Sequence, residues 1–455
     1  MPSIARLNQH VAALLASTAG FAAGVTLGWN SLAGLALRTA LGWDQEDADL
    51  VVSVVAVGAT LGALFLVLLP QKCRAGSSGA FVCAAVPPLV LGWTVICYGD
   101  YSYWYLLWGR IFCGLGLGSL CTLVPLYIGE IAADGKQRDA LLFYFHMMVS
   151  GGLACSFALA SAILLEDEDE LPLKRYSMGC AAACVPALLC CAVPESPLQR
   201  VHHQESQDTI NTLQSIDSSS TEDELMYSLA RAFDEKKVSA LRSWKFWHRF
   251  GATMIVTALQ QLSGASPIIF NALALFDHAG SGKLTSGQLN LVCGALQITA
   301  SMLAVVLVTY LGRRRLLIGS SFLMGLSLIL LGSYIRSRDS NTQPSSTYNW
   351  MPPTWIALYF GAYSLGVGPV SWALLADSFP MQLRAYSASI VSAVSWLLCL
   401  TLNHQLRALL MKLGLAETLW LFAGFCWLGA LLGHFLVRET NAKTLAELHA
   451  NFRTS

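Results

Sequence analysis

The sequence predicts an all-α membrane protein with twelve transmembrane helices in two six-helix halves. The chain has 455 residues, of which 55% are hydrophobic and 12% are charged, whereas a soluble domain usually carries about 25% charge. The hydrophobic residues are gathered in runs long enough to cross a bilayer, and one polar stretch interrupts them near the middle. We therefore predict an N-terminal half at 1–198, a connector at 199–245, a C-terminal half at 246–437 and a tail at 438–455.

The predicted spans follow one another with short polar loops between them. The first hydrophobic run has no small-residue cleavage site after it, so we expect a transmembrane helix there and not a removed signal peptide. The connector has the pattern of short amphipathic helices lying on the membrane surface. The spans lie near residues 11–36, 49–70, 78–98, 103–127, 140–164, 176–193, 250–276, 287–309, 316–335, 354–376, 385–410 and 417–437.

Basic residues predict the orientation of the chain, because positively charged loops stay in the cytoplasm. Acidic residues such as Asp44, Asp49 and the run 166–170 fall on the opposite side of the predicted membrane. Both termini and the connector are therefore predicted to be cytoplasmic. The basic residues on that side are Lys72, Arg74, Lys136, Arg138, Arg313, Arg314, Arg315, Arg384, Arg438 and Lys443.

Composition and spacing argue against several other classes of protein. The formal net charge is +0, so nothing points to a nucleic-acid partner. The thirteen cysteines lack metal-ligand spacing and fit small apolar packing residues, so we expect neither a metal nor another cofactor. The glycine-rich stretch 114–118 lies inside an apolar helix, where small residues serve helix packing. With no catalytic triad or phosphate loop in a supporting context, we predict that the chain is not an enzyme.

The two predicted halves repeat weakly at their fourth helices. The fourth span ends near Glu130, with Arg138 following, and the tenth ends near Asp377, with Arg384 following. A duplicated six-helix unit is the plan of many secondary transporters, which hold their substrate between the halves near the middle of the membrane.

The segment QQLSGASPIIFN, residues 260–271, is unusually polar for a membrane span. Gln260 and Gln261 supply donors and acceptors in pairs, which suits a ligand rich in hydroxyl groups. Ser263, Gly264 and Pro267 weaken the helix and let the backbone approach a ligand. The alternative is a polar patch that only holds neighbouring helices together.

Several short motifs occur in a specific order along the chain, and they cover nearly all of it. They are GRIFCGLGLGSLCTLVPLYIGEIA (109–132), VPESPLQR (193–200), QQLSG (260–264), GRRRLL (312–317), GVGPVSW (366–372), ADSFPMQLRA (376–385) and RETNAKTLAEL (438–448). In these motifs the chain resembles the sugar porter branch of the major facilitator superfamily, and most of all the animal facilitative hexose or trehalose transporters. The resemblance implies the major facilitator fold and alternating access, in which the halves rock about a central sugar site.

The resemblance also implies which residues form the sugar site and the cytoplasmic gate. Some site positions differ from the usual family residue: Ser266 and Ser395 replace asparagines, Asn271 an aromatic residue and His146 a glutamine. The implied substrate-binding residues are Gln260, Gln261, Ser266, Asn271, Trp372, Gly368, Trp396 and His146. The implied gating residues are Glu130, Arg138, Glu195, Arg313, Arg314, Asp377, Arg384 and Glu439.

Two loops that carry an acidic residue in the family lack it here. The loop after the second span is PQKCRAGSSG, without an acid or a Gly-Arg-Arg. In the second half, Thr309 stands where an acid precedes Gly312 and Arg313. We therefore expect an altered sugar site and an incomplete set of charges at the cytoplasmic gate.

The first helix bears on energy coupling. Proton-coupled members of the family place an aspartate there, opposite the arginine of the fourth helix, and a membrane carboxylate is the usual proton relay. Here that stretch is Gly20-Phe21-Ala22, while Arg110 is present. This favours facilitated diffusion. His146 leaves two interpretations open: a neutral hydrogen-bonding substitute for glutamine, or a proton-titrating group, since imidazole titrates near physiological pH.

The predicted function is facilitative transport of a sugar, a hexose or trehalose, by a monomer in the plasma membrane. The expected partners are the small-molecule sugar and the lipid bilayer. Two alternatives remain at this stage: a sugar sensor that no longer transports, and a proton-coupled sugar symporter.

Overall fold

The computed structural model describes ten stretches of the chain. These are residues 2–39, 41–68, 84–99, 102–132, 135–164, 172–194, 241–271, 285–340, 350–380 and 383–437. Glu195, Glu439, the loop after the second span, most of the connector and the tail lie outside the described residues.

Helices make up almost all of the described structure. A 3₁₀ segment, Val185–Ala192, extends the sixth predicted span, and a π-helical segment, Tyr363–Val367, interrupts the tenth. The α-helices are α1 Pro2–Thr39, α2 Gln45–Ser53, α3 Val55–Leu68, α4 Val86–Tyr98, α5 Tyr103–Ile131, α6 Gly135–Leu164, α7 Pro172–Ala183, α8 Trp244–Leu262, α9 Ala265–Phe270, α10 Ser286–Leu311, α11 Arg313–Ser340, α12 Met351–Ala362, α13 Gly368–Asp377, α14 Arg384–Leu413 and α15 Leu415–Leu436.

The described helices fit the predicted spans. Among the described residues, eleven helical stretches are long and apolar enough to cross a membrane, and α4 is a shorter apolar helix. The chain is therefore a multi-pass membrane protein. The third predicted span, 78–98, is described only from residue 84. The division into two halves and a connector stays a prediction.

The predicted weakening of the helix at 260–271 is confirmed. Helix α8 ends at Leu262 and α9 starts at Ala265. Gly264 between them has φ of 84°, a left-handed conformation that favours glycine. A β-carbon at this position would also collide with the ring of Phe422. The chain therefore breaks its helix beside the two glutamines.

Glycines bring α3 and α5 into direct backbone contact. A β-carbon on Gly58 or Gly62 would collide with backbone carbonyl groups of α5, and one on Gly114 or Gly118 would collide with those of α3. Small residues spaced by four on both helices allow this close approach. The packing role predicted for the stretch 114–118 is thus confirmed.

The two predicted halves meet along several helix pairs. Helix α6 packs against α10, α3 against α14, and α13 against both α5 and α6. Arg138, Arg313 and Arg384 lie together at one end of this bundle, which we call the arginine end. At the opposite end, which we call the outer end, Glu46 and Arg407 form an exposed ion pair of 3.4 Å between α2 and α14. The functional residues lie between these two ends.

Candidate functional site

The amide pair of α8 is buried and faces polar groups of α14 and α9. Gln261 donates from Nε2 to Ser395 Oγ at 3.0 Å and accepts at Oε1 from the hydroxyl of Ser266. Ser266 and Ser395, the two serines expected at the site, thus contact the same glutamine. Because α8 ends one residue after Gln261, the helix break holds this hydrogen-bonding group in place.

Gln260 connects α8 to the interrupted tenth span and, through it, to α6. Its Nε2 donates to the hydroxyl of Tyr363 at 3.1 Å, while its buried Oε1 has no hydrogen-bond partner among the described residues. The ring of Tyr363 meets the imidazole of His146 edge to face, with centroids 5.6 Å apart. Gly368 lies against the same imidazole, where a β-carbon would collide with the ring. The structure therefore brings His146, Gly368 and Gln260 together.

Both predicted tryptophans lie in this cluster. The rings of Trp372 and Trp396 are 6.5 Å apart, and Phe145 of α6 meets Trp372 edge to face at 5.9 Å. Trp396 is 4% exposed, yet its indole N–H has no acceptor among the described residues. Indole rings stack on the C–H faces of sugars, and their N–H groups donate to polar partners. The pair thus offers a ligand an apolar wall with one available donor.

Two further buried polar residues belong to this region, although the sequence analysis does not include them. Neither Gln297 of α10 nor Ser364 of the π-helical segment has a side-chain hydrogen-bond partner among the described residues. Gln297 is fully buried on a helix that packs against α6 and against the π-helical segment. The sequence pattern could have indicated Gln297, because Asn290, Gln297 and Ser301 recur on one face of an otherwise apolar helix.

Several buried polar atoms in this region lack partners among the described residues. They belong to His146, Gln260, Gln297, Ser364 and Trp396, which come from both predicted halves. Leaving a buried donor or acceptor unpaired is costly, so such groups call for an explanation. The hydroxyls of a polyhydroxylated ligand both donate and accept, so they match the chemistry of such groups. We refer to these five residues, with Gln261 and Trp372, as the amide cluster.

Asn271 lies apart from these contacts, toward the outer end. Its amide donates to the carbonyl of Pro267 at 3.0 Å. It lines a small cavity together with Ser31, Arg38 and Asp49. These residues come from α1, α2 and the end of α9, so the cavity lies between the predicted halves. The structure thus places Asn271 at an outer cavity and shows no contact between it and the amide pair.

Buried ion pairs close the arginine end. Arg138 donates from Nε to Asp377 Oδ1 at 2.8 Å, and a second bond joins its Nη2 to the same oxygen. Arg313 Nη2 lies 2.7 Å from Asp377 Oδ2 and also pairs with Asp139. Arg384 Nη2 is 3.9 Å from Asp377 Oδ1 and donates to the carbonyl of Ala376. We call these five residues the charge cluster.

The remaining predicted gating residues differ in their placement. Glu130 is half-buried and close enough to interact electrostatically with Arg384, so it lies beside the charge cluster. Arg314 is half-buried and forms no ion pair with any described residue, in contrast to its neighbour Arg313. Asp139, which the sequence analysis does not include, is 3% exposed and lies inside the cluster.

The buried arginine of α5 has a neutral environment. Arg110 donates from Nη2 to Asn30 Oδ1 at 2.6 Å and from Nη1 to the carbonyl of Thr26 at 3.2 Å. Its guanidinium lies 4.7 Å from the centre of the Trp29 ring, a cation–π contact. No described carboxylate forms an ion pair with it. The residues opposite Arg110 are thus Thr26 and Asn30. They lie one and two turns beyond Ala22, the residue predicted from the sequence to lie opposite this arginine.

Known proteins with similar sequences identify the family of this chain. The chain is 25% identical to the facilitated trehalose transporter Tret1 of Bombyx mori over 97% of its length and 86% of that protein. It is 27% identical to the facilitated glucose transporter member 8 of solute carrier family 2 from Bos taurus, over 97% of the chain and 94% of the relative.

A solved structure shares the fold. The proton:xylose symporter XylE, bound to 6-bromo-6-deoxy-D-glucose, superposes with a TM-score of 0.74 and 19% identity, over 97% of this chain and 98% of that one. XylE belongs to the major facilitator superfamily, as the predicted fold class requires. The model of the family described as "Sugar (and other) transporter" matches residues 11–452, so the chain belongs to the sugar transporter family.

Proposed function

We propose that the chain carries a hexose or trehalose across the membrane by facilitated diffusion and alternating access. The single observation that carries this proposal is the amide cluster, a set of buried polar and aromatic side chains from both predicted halves, five of which have polar atoms without partners among the described residues. Relatives named as trehalose and glucose transporters support a polyhydroxylated substrate. The relatives are transporters by name, which agrees with the prediction that the chain is not an enzyme.

The chemistry of the cluster suits a sugar in two ways. Primary amides donate and accept at once, so Gln260, Gln261 and Gln297 match the alternating roles of sugar hydroxyls. The indoles of Trp372 and Trp396 offer apolar faces for ring C–H groups. Among the described residues, the amide cluster carries no carboxylate, which agrees with an uncharged substrate.

The ends of the bundle support alternating access. Among the described residues, buried ion pairs between the predicted halves close the arginine end, whereas at the outer end a small cavity lies between the halves and the ion pair that joins them, Glu46–Arg407, is exposed. We infer that the arginine end is cytoplasmic and that the charge cluster holds it shut while sugar enters from outside. Transport then requires the cluster to separate, so that the amide cluster becomes open to the cytoplasm.

Uptake of radiolabelled sugars into liposomes containing the purified protein tests this function. The panel should include glucose, fructose, xylose, myo-inositol, trehalose and mannitol, with protein-free liposomes as the blank. We expect saturable uptake of at least one hexose or of trehalose, stopping when internal and external concentrations are equal. Absence of uptake for every member of the panel would contradict the proposal.

Energy coupling gives a separate prediction. Because Arg110 faces the neutral Asn30, uptake should be unchanged by a protonophore and by an imposed proton gradient. Asn30→Asp would place a carboxylate against Arg110, and we expect uptake to become dependent on external pH. Asn290→Asp is a matched control, since Asn290 is also buried but bonds to Ser31 and not to Arg110. Protonophore-sensitive accumulation by the unaltered protein would contradict facilitated diffusion.

His146 gives a further prediction. Its ring nitrogens have no partner among the described residues, and no described carboxylate pairs with it, so we propose that it meets a sugar hydroxyl as a neutral group. His146→Gln should retain uptake and change the ranking of sugars. His146→Leu should weaken uptake by about fivefold or more, because one hydrogen bond is lost. If the ring acted by protonation, the unaltered protein would show a pH dependence that His146→Gln abolishes.

We also propose a monomer in the plasma membrane, with both termini in the cytoplasm. The basic residues at the arginine end favour this orientation. Peptide tags at the two termini of the protein in intact cells would test it, because an antibody should reach neither tag until the membrane is permeabilised.

A further inference from the structure

Arg313 lies at the start of α11, and its guanidinium is fully enclosed by protein. Burying a guanidinium is costly, and a carboxylate held in good geometry offsets much of that cost. Thr309 lies four residues before Arg313, at the end of α10 in the same predicted half. Its hydroxyl donates to the carbonyl of Val306 and supplies no negative charge. The carboxylates that Arg313 contacts are Asp377 and Asp139.

Asp139 reaches Arg313 from the other predicted half. It follows Arg138 directly in the first turns of α6, and neighbouring residues on a helix point about 100° apart. Arg138 therefore contacts Asp377 at the end of α13, while Asp139 contacts Arg313 at the start of α11. The consecutive residues Arg138 and Asp139 thus each form an ion pair that joins the two predicted halves. In one pair α6 supplies the basic residue, and in the other it supplies the acidic residue.

Among the described residues, the three buried arginines face three carboxylates, of which Asp139 is one. Arg138, Arg313 and Arg384 supply three positive charges, all at most 4% exposed at the side chain. Asp377 and the half-buried Glu130 supply two negative charges, and Asp139 supplies the third. Without Asp139, one buried guanidinium would lack a compensating charge among the described residues.

We propose that Asp139 is a gating residue of this chain, which supplies from α6 the negative charge that Thr309 does not supply from α10. Its pair with Arg313 is a second bond between the halves at the arginine end, and it breaks together with Arg138–Asp377 when this end opens. This inference rests on the proposed transport function. It also accounts for closure of the arginine end in a chain whose loops lack the expected acids.

A distance measurement in the membrane tests the proposal. Spin labels carried by noncanonical amino acids are placed at Leu68 and Tyr310, which are 78% and 76% exposed at the arginine end, one in each half. Without sugar, we expect Asp139→Asn to raise the ratio of open to closed arginine ends by about tenfold or more, because breaking a buried pair is costly. Glu417→Gln is the matched control, since Glu417 pairs with Arg336 at an exposed position.

Second variants separate a gating role from a general loss of stability. Asp139→Glu keeps a carboxylate on α6 opposite Arg313 and should retain most of the closed population. The double variant Asp139→Asn, Arg313→Gln should open the end no further than Arg313→Gln alone, because loss of Arg313 already breaks its pairs with both Asp139 and Asp377. If Asp139→Asn does not fold, the double variant takes its place in the distance measurement.

The outcomes are separable from those of the proposed function. Distances in Asp139→Asn, or in the double variant, that match the unaltered protein would overturn the role of Asp139, even if the protein transports sugar normally. Absence of sugar uptake by the unaltered protein would instead contradict the transport function.

Discussion

Gln261→Ala is expected to weaken sugar binding by about 1–3 kcal/mol, which corresponds to roughly 5- to 150-fold in Kd. In the structure, Gln261 is the only described residue that bonds to both Ser395 and Ser266. Its removal leaves two hydroxyls without this partner and also removes the proposed contact with sugar. Isothermal titration calorimetry on protein in detergent or nanodiscs, with the best sugar of the uptake panel, measures the effect directly.

Asn403→Ala is the matched control for this measurement. Asn403 is an amide on α14, but it donates only to the carbonyl and thiol of Cys399 on its own helix. Its removal should leave sugar affinity within about twofold of the unaltered protein. Equal affinity for Gln261→Ala and the unaltered protein would mean that the amide pair only holds helices together, which is the alternative interpretation of the polar segment.

Asp377→Asn is expected to open the arginine end. Asp377 contacts Arg138 and Arg313 directly and lies near Arg384, so the substitution leaves buried guanidinium groups without their shared carboxylate. Removing one partner of a buried ion pair costs about 3–5 kcal/mol. This cost falls only on the state in which the arginine end is closed, so the population shifts to the open state.

The shift should appear as a longer distance between the spin labels at Leu68 and Tyr310. Net sugar uptake should also fall, because the protein rarely returns to the state in which the arginine end is closed. Glu46→Gln is the control, since its ion pair with Arg407 also joins the two halves but is exposed at the outer end. Exposed pairs contribute about 0–1 kcal/mol, so its distance distribution should stay almost unchanged. An unchanged distribution in Asp377→Asn would contradict the gate.

Hydropathy and helix-breaking residues were enough to predict much of the fold. The positions of the spans depend on local composition, because each span must satisfy its own backbone inside the membrane. The break at Gly264 was predictable for the same reason, since the left-handed conformation is a property of one residue. The packing of Gly114 and Gly118 against α3 likewise follows from a local pattern of small residues.

Contacts between distant helices were harder to predict. Arg313 and Arg314 are adjacent and chemically identical, yet only Arg313 enters the charge cluster. Asp139 is buried and pairs with Arg313 at the start of α11, a contact that the sequence around Asp139 does not indicate. The position opposite Arg110 differed by two turns from the expected one, because the crossing of α1 and α5 determines which residue faces it. Which residues of two distant helices face each other cannot be predicted from a single sequence.

Counterflow of radiolabelled sugar tests the central claim most directly, because it requires the same site to open alternately to both sides of the membrane. Liposomes containing the purified protein are loaded with a high concentration of unlabelled glucose or trehalose and diluted into a trace of the labelled sugar. The account predicts a transient accumulation of label above its external concentration, abolished by Gln261→Ala and retained in the presence of a protonophore. Label that binds saturably to the protein, with no transient accumulation inside the liposomes, would identify a sugar sensor and contradict alternating access.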